Sequence, residues 1–593
     1  MHSLQESLER LSSRQWLLLV GALFLITGLL VYGRAVHYDF VELDDALLIY
    51  ENPKIQGYTL QNLRKIFTTY DPELYIPITL LSYQIDYAFG GTSPFVYHLD
   101  NLLLHIINAL LFTVFARQVL KKRWVALICG FLFLVHPLHS EAAVWASARK
   151  DTLSTLFFLL SVLAYVWHAR SGRQVTYVIS LIAFALGLMS KVSIIPLPIV
   201  LFLFDYLDRR RFSRCLFLNK IPYVCIAILF GIVAIVGKAH VERPPFTDLL
   251  LMWVKSVAFF IQKILWPTGF SILYPFDGAI TLRSPAFYGP LLLLLALLGI
   301  IAVAFLRRRR FVVLGVSFYL LTLAPSLYNL AKFPDYYITS DRYAYVPSIG
   351  LFLLAGAGLL WLERAATRVL ALAIVLALAV VTFLHIPVWR NHEVLAQHVL
   401  SIYPRSRIAW MDLGNALRDR GDVEGAHRAY NASLAIRDDP RVNYNKALLL
   451  EMEGKPDDAI PLYEHAISLS ISYDLARINL GRLYYERGRR ADAREQFEKA
   501  AHYAPHLAMP HFNLGVLAME DGSMEEAERF YRRAIDAEPR FADARVNLIV
   551  MLLKLGKTDS AVRELQQAFG AIPGEQRFRA MRDHLIAQGV IKK

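Results

Sequence analysis

The chain has 593 residues, of which 56% are hydrophobic, and its mean hydropathy is +0.39. This value is too high for a soluble protein of this length and indicates a polytopic membrane protein. The net charge of +13 does not indicate a nucleic-acid partner, because most Lys and Arg clusters fall between hydrophobic runs, where the positive-inside rule explains them.

Eleven hydrophobic runs, all before residue 390, are predicted to cross the membrane. The first, 16–33, follows Arg10 and Arg14 and lacks a small-residue cleavage site, which favours an uncleaved helix that starts in the cytoplasm. The run 249–266 is excluded, since Lys255 and Lys263 favour an interfacial or partly buried amphipathic helix. The other ten spans are approximately 97–116, 124–142, 152–168, 175–190, 192–207, 221–238, 287–306, 311–330, 346–362 and 369–386.

The charges of the loops support eleven spans rather than twelve. With eleven, the basic segments 121–123, 168–173, 208–214 and 307–310 lie on one face, as the positive-inside rule requires. A twelfth span would move the last of them to the opposite face. The N-terminus is then cytoplasmic, and the loop 34–96 lies with the C-terminal region on the other face, in the periplasm or a lumen.

The region from about residue 408 repeats every 34 residues. Positions that recur at this spacing are Asn445, Asn479, Asn513 and Asn547, and Gly454, Gly488, Gly522 and Gly556. This period is typical of tetratricopeptide repeats, and it predicts about five of them. Stacked repeats have a concave surface suited to extended peptides, so this region is predicted to bind protein. An array that only mediates self-association is the alternative.

Unusual polar residues are concentrated in the predicted outer loops. Asp44 and Asp45 follow the first run, Lys191 ends the fifth, and Arg342 lies in DRYAYVPSIG (341–350) before the tenth. The segment HPLHSEAAVWASARKD (136–151) supplies His136, His139, Glu141, Arg149 and Lys150. Charged residues at the border of a bilayer are costly unless they are paired or used.

These residue types suggest a substrate that has a lipid tail and a phosphate. An acid at the membrane surface can act as a general base toward a hydroxyl or position a metal, and Arg and Lys can neutralise a phosphate. A polyprenyl-phosphate sugar is such a substrate, although a phosphatase or a phospholipid-binding scaffold would need similar parts. No Walker loop, GxGxxG after a strand or GxSxG supports nucleotide-driven chemistry or serine hydrolysis.

Three segments, 44–112, 136–151 and 341–350, resemble the transmembrane and tetratricopeptide-repeat O-mannosyltransferases and their bacterial relatives. The resemblance extends over essentially the whole chain and implies a GT-C glycosyltransferase. The implied fold class is all-α, with a GT-C-type membrane domain of about eleven helices (1–390), a linker (391–407) and a tetratricopeptide α-solenoid (408–593). The implied donor is a lipid-phosphate sugar used on the extracytoplasmic face.

By this resemblance Asp44 and Asp45 match the acidic pair of the family. One of them, with Asp44 preferred, would deprotonate the acceptor hydroxyl while the lipid phosphate leaves with inversion. The alternative is a solvated acidic turn or a helix cap.

The remaining candidates bind the donor phosphate or position the substrate. Predicted phosphate ligands are Arg149, Lys150, Arg342 and Lys191, and predicted substrate-positioning residues are His136, His139 and Glu141. Alternatively, the basic pair snorkels beside an Asp151 cap, and Arg342 pairs with Asp341 or Asp335. Zinc is disfavoured, because HxxH beside a proline lacks the helical H-E-x-x-H geometry. The metal is unknown, and a divalent cation such as Mg or Mn is left open.

The sequence therefore predicts a bacterial inner-membrane enzyme whose active site and repeats lie on the periplasmic face. It would move a sugar, expected to be mannose, from a polyprenyl-phosphate carrier to Ser/Thr hydroxyls of a protein held by the repeats. The rival hypotheses are a ligase that moves a glycan from a lipid diphosphate and a non-catalytic scaffold for envelope assembly.

Overall fold

Helices form most of the chain, as the apolar runs and the 34-residue repeat predict. The structure is a computed structural model that describes residues 9–71, 73–210, 213–238, 244–332, 335–362, 364–587 and 590–591. It divides into two units, Met1–Ser406 and Arg407–Lys593. The predicted all-α class, a membrane region followed by tetratricopeptide repeats, is confirmed.

The first unit is mainly helical. Its α-helices are Ser13–Tyr32, Leu60–Thr68, Pro77–Gly90, Pro94–Leu120, Arg123–Val135, Ser140–Val144, Arg149–Ser171, Gln174–Leu188, Leu197–Leu207, Arg214–Leu218, Ile221–Gly237, Phe246–Leu265, Tyr288–Leu306, Arg310–Leu323, Ser348–Trp361, Ala365–His385 and His392–Ile402. The shorter 3-10 elements are Gly33–His37, Pro137–His139, Ala146–Ala148, Val192–Ile194, Pro285–Phe287, Ala324–Asn329, Asp341–Ala344 and Ile386–Trp389, and Ala46–Tyr50 is a π-helical turn.

Local sequence signals explain where two of these helices begin. Ser12 and Gln15 form a capping box at the first helix, and Pro94 occupies the first turn of Pro94–Leu120. The strands Ala331–Lys332 and Asp335–Tyr336 form a short antiparallel pair.

Each of the eleven predicted spans coincides with an apolar helix or helix pair. Within the described residues, seven helices are long and apolar enough to cross a membrane, or eight if the bent pair Arg123–Val135 and Pro137–Val144 is one span. The other three, Gln174–Leu188, Val192–Leu207 and Ser348–Trp361, have 10–17 residues. At 1.5 Å per residue they extend at most about 26 Å, less than the roughly 30 Å of a hydrocarbon core.

Two interruptions place polar residues at the ends of apolar helices. The bent pair changes direction by 53° next to Pro137, because proline cannot continue the hydrogen bonding of the preceding helix. The helical structure is also interrupted at Ser190 and Lys191, between two of the short helices. The helix Phe246–Leu265, excluded from the predicted spans, buries Met252, Val257 and Phe260 on one face.

The segment predicted as a linker, 391–407, contains the helix His392–Ile402. The side chain of Asn391 caps this helix by accepting a hydrogen bond from Val394 N–H at 2.9 Å. The boundary between the two units follows it, between Ser406 and Arg407.

Within its described residues, the second unit contains five helix pairs followed by one more helix. The pairs are Arg407–Asp419 with Val423–Ile436, Pro440–Met452 with Pro456–Leu469, Asp474–Glu486 with Arg490–Tyr503, Ala508–Glu520 with Met524–Ala537, and Ala542–Lys554 with Thr558–Ala571, followed by Gln576–Ala587. Small residues let the paired helices approach: a Cβ added at Gly515 would lie 2.7 Å from a ring atom of Tyr531. Glycine also ends the first helix of each pair in a left-handed conformation, as at Gly522 with φ +79°.

Candidate active site

The two acids of the pair Asp44–Asp45 have different surroundings. Asp45 is fully buried, and its carboxylate accepts hydrogen bonds from the backbone N–H groups of Val41 and Ser147, both at 2.9 Å, and from the Ser147 hydroxyl. The Asp44 side chain is 35% exposed, and its Oδ2 lies 2.8 Å from Lys150 Nζ. Asp45 therefore joins the loop 34–96 to the segment 136–151, and Asp44 is the more accessible acid.

Burial raises the pKa of Asp45 to about 6, against the lowering effect of its hydrogen bonds from Ser147 and Val41. A buried carboxylate is easier to protonate because its charged form loses hydration. Asp44 next to it adds a further raising effect by charge repulsion.

This raised pKa predicts how stability depends on pH. Between about pH 4 and pH 6 the folded chain binds a proton at Asp45 that the unfolded chain has released, so stability falls as the pH rises through this window. The expected loss is about 3 kcal/mol. Comparing thermal unfolding in detergent micelles at pH 4, 5, 6 and 7 for the wild type and Asp45→Asn tests it. The variant should lack this component, whereas Glu42→Gln, at an exposed acid nearby, should keep it.

Lys150 projects from the first turn of the helix Arg149–Ser171 and is almost completely buried. Besides its ion pair with Asp44, its ammonium lies 5.7 Å from the centre of the Trp145 ring. A buried ammonium requires such partners, because an unpaired charge in this environment is costly. Lys150 therefore brings a positive charge directly to the accessible acid.

Asp151 and Lys191 form a second buried acid–base pair. The prediction that Asp151 caps the following helix is wrong: the N-cap position is Ala148, and Asp151 lies within the first turn, where its side chain binds Lys191. Burial lowers the pKa of Lys191 to about 8; Asp151 opposes this, and the charges of Arg342 and Lys150 reinforce it. Lys191 lies in the non-helical residues between two short helices, and from there its side chain contacts Asp151.

Arg342 forms a third pair, with Glu141 rather than with Asp341 or Asp335. The Arg342 backbone N–H also donates to Glu141 Oε2 at 3.0 Å, and Ser340 Oγ donates to Glu141 Oε1 at 2.8 Å. The guanidinium lies 4.9 Å from the centre of the Trp145 ring and 5.0 Å from that of Tyr343. Burial opposes the charge of Arg342, but Tyr343 and Glu141 outweigh it and raise the pKa of Arg342.

The three pairs form one site, which we call the charged cluster: Asp44, Lys150, Asp151, Lys191, Glu141 and Arg342. Two aromatic rings connect them, since Trp145 contacts both Lys150 and Arg342, and Tyr343 contacts both Lys191 and Arg342. The cluster thus has three cations and three acids, of which Asp44 is the most exposed. A phosphate bound there would meet cations of both kinds, the Arg342 fork and the Lys point charges.

Arg149, a predicted phosphate ligand, is instead surrounded by protein partners. Its side chain is fully buried and forms ion pairs with Asp86 and with Asp100, the latter at 3.0 Å. Its Nε donates to Asn101 Oδ1 and its Nη2 to the carbonyl of Tyr97, both at 2.7 Å. These contacts connect the helices Pro77–Gly90 and Pro94–Leu120 to the helix that carries Lys150 and Asp151.

The predicted substrate-positioning residues are also buried and contact the protein. His136 Nδ1 accepts from Leu138 N–H at 3.2 Å, and the ring nitrogens of His139 lie 2.7 Å from the Phe133 carbonyl and 3.0 Å from Ser348 Oγ. Glu141 belongs to the charged cluster through Arg342. In the part of the chain that the structure describes, no group of three or more His, Cys, Asp or Glu side chains is placed to hold a metal ion.

Sequence reasoning missed Ser147, Trp145 and Tyr343, which orient or connect the charged residues. All three lie inside the segments 136–151 and 341–350 that carry the family resemblance. Their position next to charged residues was the available signal, but neither an aromatic residue nor a serine indicates by itself which partner it contacts.

The comparisons with known proteins match the two regions separately. Residues 81–237 match the family model described as dolichyl-phosphate-mannose-protein mannosyltransferase. Residues 392–440, 411–473, 478–540 and 518–585 match models of the tetratricopeptide repeat. One chain therefore combines a mannosyltransferase-type segment with repeats. The chain is similar to the protein O-mannosyl-transferases.

Three curated relatives show the extent of this similarity. Human TMTC2, a protein O-mannosyl-transferase, is 40% identical over 16% of this chain and 11% of its own length. Human TMTC1 is 33% identical over 24% of this chain and 18% of its own, and human TMTC4 is 25% identical over 70% and 65%. The matched part of this chain thus spans about a tenth of the length of human TMTC2 and about two thirds of that of human TMTC4.

Two solved structures are similar to part of this chain. MamA is 22% identical, covers 29% of this chain and 96% of its own, and has a TM-score of 0.26. YrrB, described as a protein with an unusual peptide-binding site, is 21% identical, covers 26% and 79%, and has a TM-score of 0.22.

Proposed function

We propose that this membrane protein is a GT-C-type mannosyltransferase that moves a mannosyl group from a polyprenyl-phosphate carrier to a Ser or Thr hydroxyl of a protein. The observation that carries the proposal is the charged cluster, where the accessible acid Asp44 lies 2.8 Å from Lys150 and near Arg342. The similarity to protein O-mannosyl-transferases and the mannosyltransferase-type segment support the sugar and the acceptor class.

In the proposed reaction the acceptor hydroxyl attacks the anomeric carbon of the donor. Asp44 takes the hydroxyl proton as a new bond forms between the acceptor oxygen and the sugar. The bond between the anomeric carbon and the phosphate oxygen breaks, and its electron pair leaves with the lipid phosphate. Lys150, Lys191 and Arg342 stabilise the negative charge on the departing phosphate, and the anomeric configuration inverts.

Asp45 has a supporting part in this proposal. Its buried carboxylate holds the backbone of Val41 and Ser147, which fixes the loop that carries Asp44 against the segment that carries Lys150. Arg149 likewise supports that segment through Asp86 and Asn101. The repeats would hold the acceptor protein, on the periplasmic face of a bacterial inner membrane, where the positive-inside rule puts both the loop 34–96 and the repeats.

A deletion strain tests the class of reaction and the acceptor together. Mass spectrometry of envelope proteins should find a hexose on Ser or Thr residues in the wild type that is absent after deletion and returns with the wild-type gene. The purified protein in nanodiscs should also release polyprenyl phosphate from a polyprenyl-phosphate mannose donor when acceptor peptide is present.

Other outcomes would contradict the proposal. Loss of a whole glycan carried by a lipid diphosphate would favour the ligase. If the purified protein never consumes the donor while envelope complexes disassemble in the deletion strain, the chain is a scaffold.

A further inference from the structure

Asp151 holds Lys191 while one of its own oxygens lacks a partner. The Oδ1 of Asp151 forms the ion pair with Lys191, and the Asp151 residue is almost completely buried. Its Oδ2 is buried without a hydrogen-bond partner among the described residues. A buried carboxylate oxygen without a hydrogen-bond partner carries a desolvation cost. The presence of Asp151 at this position therefore needs an explanation other than the stability of its helix.

The surroundings of Lys191 give that explanation. The side chains that face its ammonium are Asp151 from the helix Arg149–Ser171, Lys150 from the same helix, and Arg342 and Tyr343 from the turn Asp341–Ala344. Burial, reinforced by the two neighbouring cations, favours the neutral amine of Lys191, and Asp151 favours the charged ammonium. The charged state of Lys191 therefore depends on Asp151.

We propose that Asp151 is a positioning residue that keeps the Lys191 ammonium charged and directed into the charged cluster, where it meets the phosphate of the donor. This inference rests on the proposed function for the identity of that phosphate. Lys191 is the group that touches the phosphate, and Asp151 acts through it. The unpartnered Oδ2 is the cost of placing a negative charge next to a lysine whose ammonium form is disfavoured by burial.

The consequence is a defined shift in pH dependence. Lys191 must be protonated to stabilise the leaving phosphate, and burial holds the pKa of Lys191 at about 8. Asp151→Asn removes the nearby negative charge, so the pKa of Lys191 should fall by at least about one unit. The pH above which transfer is lost should then move downward by the same amount.

The first experiment measures the proton on Lys191 without any use of activity. The full-length protein in nanodiscs is pulse-labelled with acetic anhydride at a series of pH values, and mass spectrometry quantifies acetylation of Lys191, because only the neutral amine reacts. The midpoint should be near pH 8 in the wild type and at least about one unit lower in Asp151→Asn. The matched control Asp208→Asn, at an exposed acid paired with Arg170, should keep the wild-type midpoint. Equal midpoints in all three proteins would overturn the inference.

The second experiment follows transfer from polyprenyl-phosphate mannose against pH. Asp151→Asn should retain transfer at low pH and lose it on the basic side at least about one unit earlier than the wild type. Asp151→Asn/Lys191→Arg should regain transfer at high pH, because arginine stays charged without help. A uniform loss at every pH that arginine does not rescue would show that Asp151 only supports the fold.

The two readouts separate this inference from the proposed function. A shifted labelling midpoint without donor consumption by the wild type would keep the role of Asp151 and refute the transferase. Donor consumption with an unshifted midpoint would keep the transferase and refute the role of Asp151.

Discussion

Asp44→Asn is expected to lower the rate of mannosyl transfer by about 10²- to 10⁴-fold, the range attributed to a general base. Asparagine has almost the same shape as aspartate but cannot take the acceptor proton. The substitution also removes the acid partner of the buried Lys150, so some loss of stability is expected, smaller than for a fully buried pair because the Asp44 side chain is 35% exposed. Initial rates with polyprenyl-phosphate mannose and an acceptor peptide, together with thermal unfolding, measure both quantities.

Two neighbouring acids serve as controls for this result. Glu42→Gln removes an exposed carboxylate two residues away and should retain transfer, which separates a catalytic loss from a general loss of negative charge. Asp45→Asn should change the pH dependence of stability, because Asp45 is the buried acid. Full transfer by Asp44→Asn would show that Asp44 is not the base.

Arg149→Met is expected to destabilise the protein by about 3–5 kcal/mol, the usual result of removing one partner from a buried ion pair. The substitution leaves the buried Asp86 carboxylate without its arginine and removes the contacts with Asn101 and Tyr97. Methionine fills part of the same volume, so the loss reports on charge and hydrogen bonds more than on packing. Thermal or denaturant unfolding of the purified protein in detergent micelles measures it.

Arg170→Met is the matched control on the same helix, Arg149–Ser171. Arg170 forms an ion pair with Asp208 in which both side chains are about one third exposed, and such pairs contribute about 0–1 kcal/mol. If Arg149→Met unfolds like the wild type while the KM for the donor rises, Arg149 binds the phosphate, as the sequence alone predicted.

The sequence predicted the architecture well because hydrophobic runs and a strict 34-residue period are local signals. It could not predict the role of the polar residues Ser190 and Lys191 between the short runs 175–190 and 192–207, because the partner of Lys191 is visible only in the folded site. In the structure, Lys191 lies where the helix is interrupted and contacts Asp151, which lies 40 positions earlier in the chain.

Within the site, residue types were easier to predict than partners. Arg149 and Lys150 are adjacent, but neighbours on an α-helix point about 100° apart, so one enters the network of Asp86 and the other reaches Asp44. The pair Arg342–Glu141 joins residues about 200 positions apart, and no spacing rule connects them. The difference in burial between Asp44 and Asp45 could not be predicted from the sequence, because it depends on Ser147, about 100 positions away.

The contact between Asp45 and Ser147 also determines which parts of the chain can be exchanged. The carboxylate in one loop accepts two hydrogen bonds from the other segment, so each segment completes the fold of its neighbour. A chimera that takes the loop 34–96 from a relative but keeps the native 136–151 would combine surfaces that did not evolve together. Donor specificity should therefore be transplanted by moving both segments at once, as a single cassette.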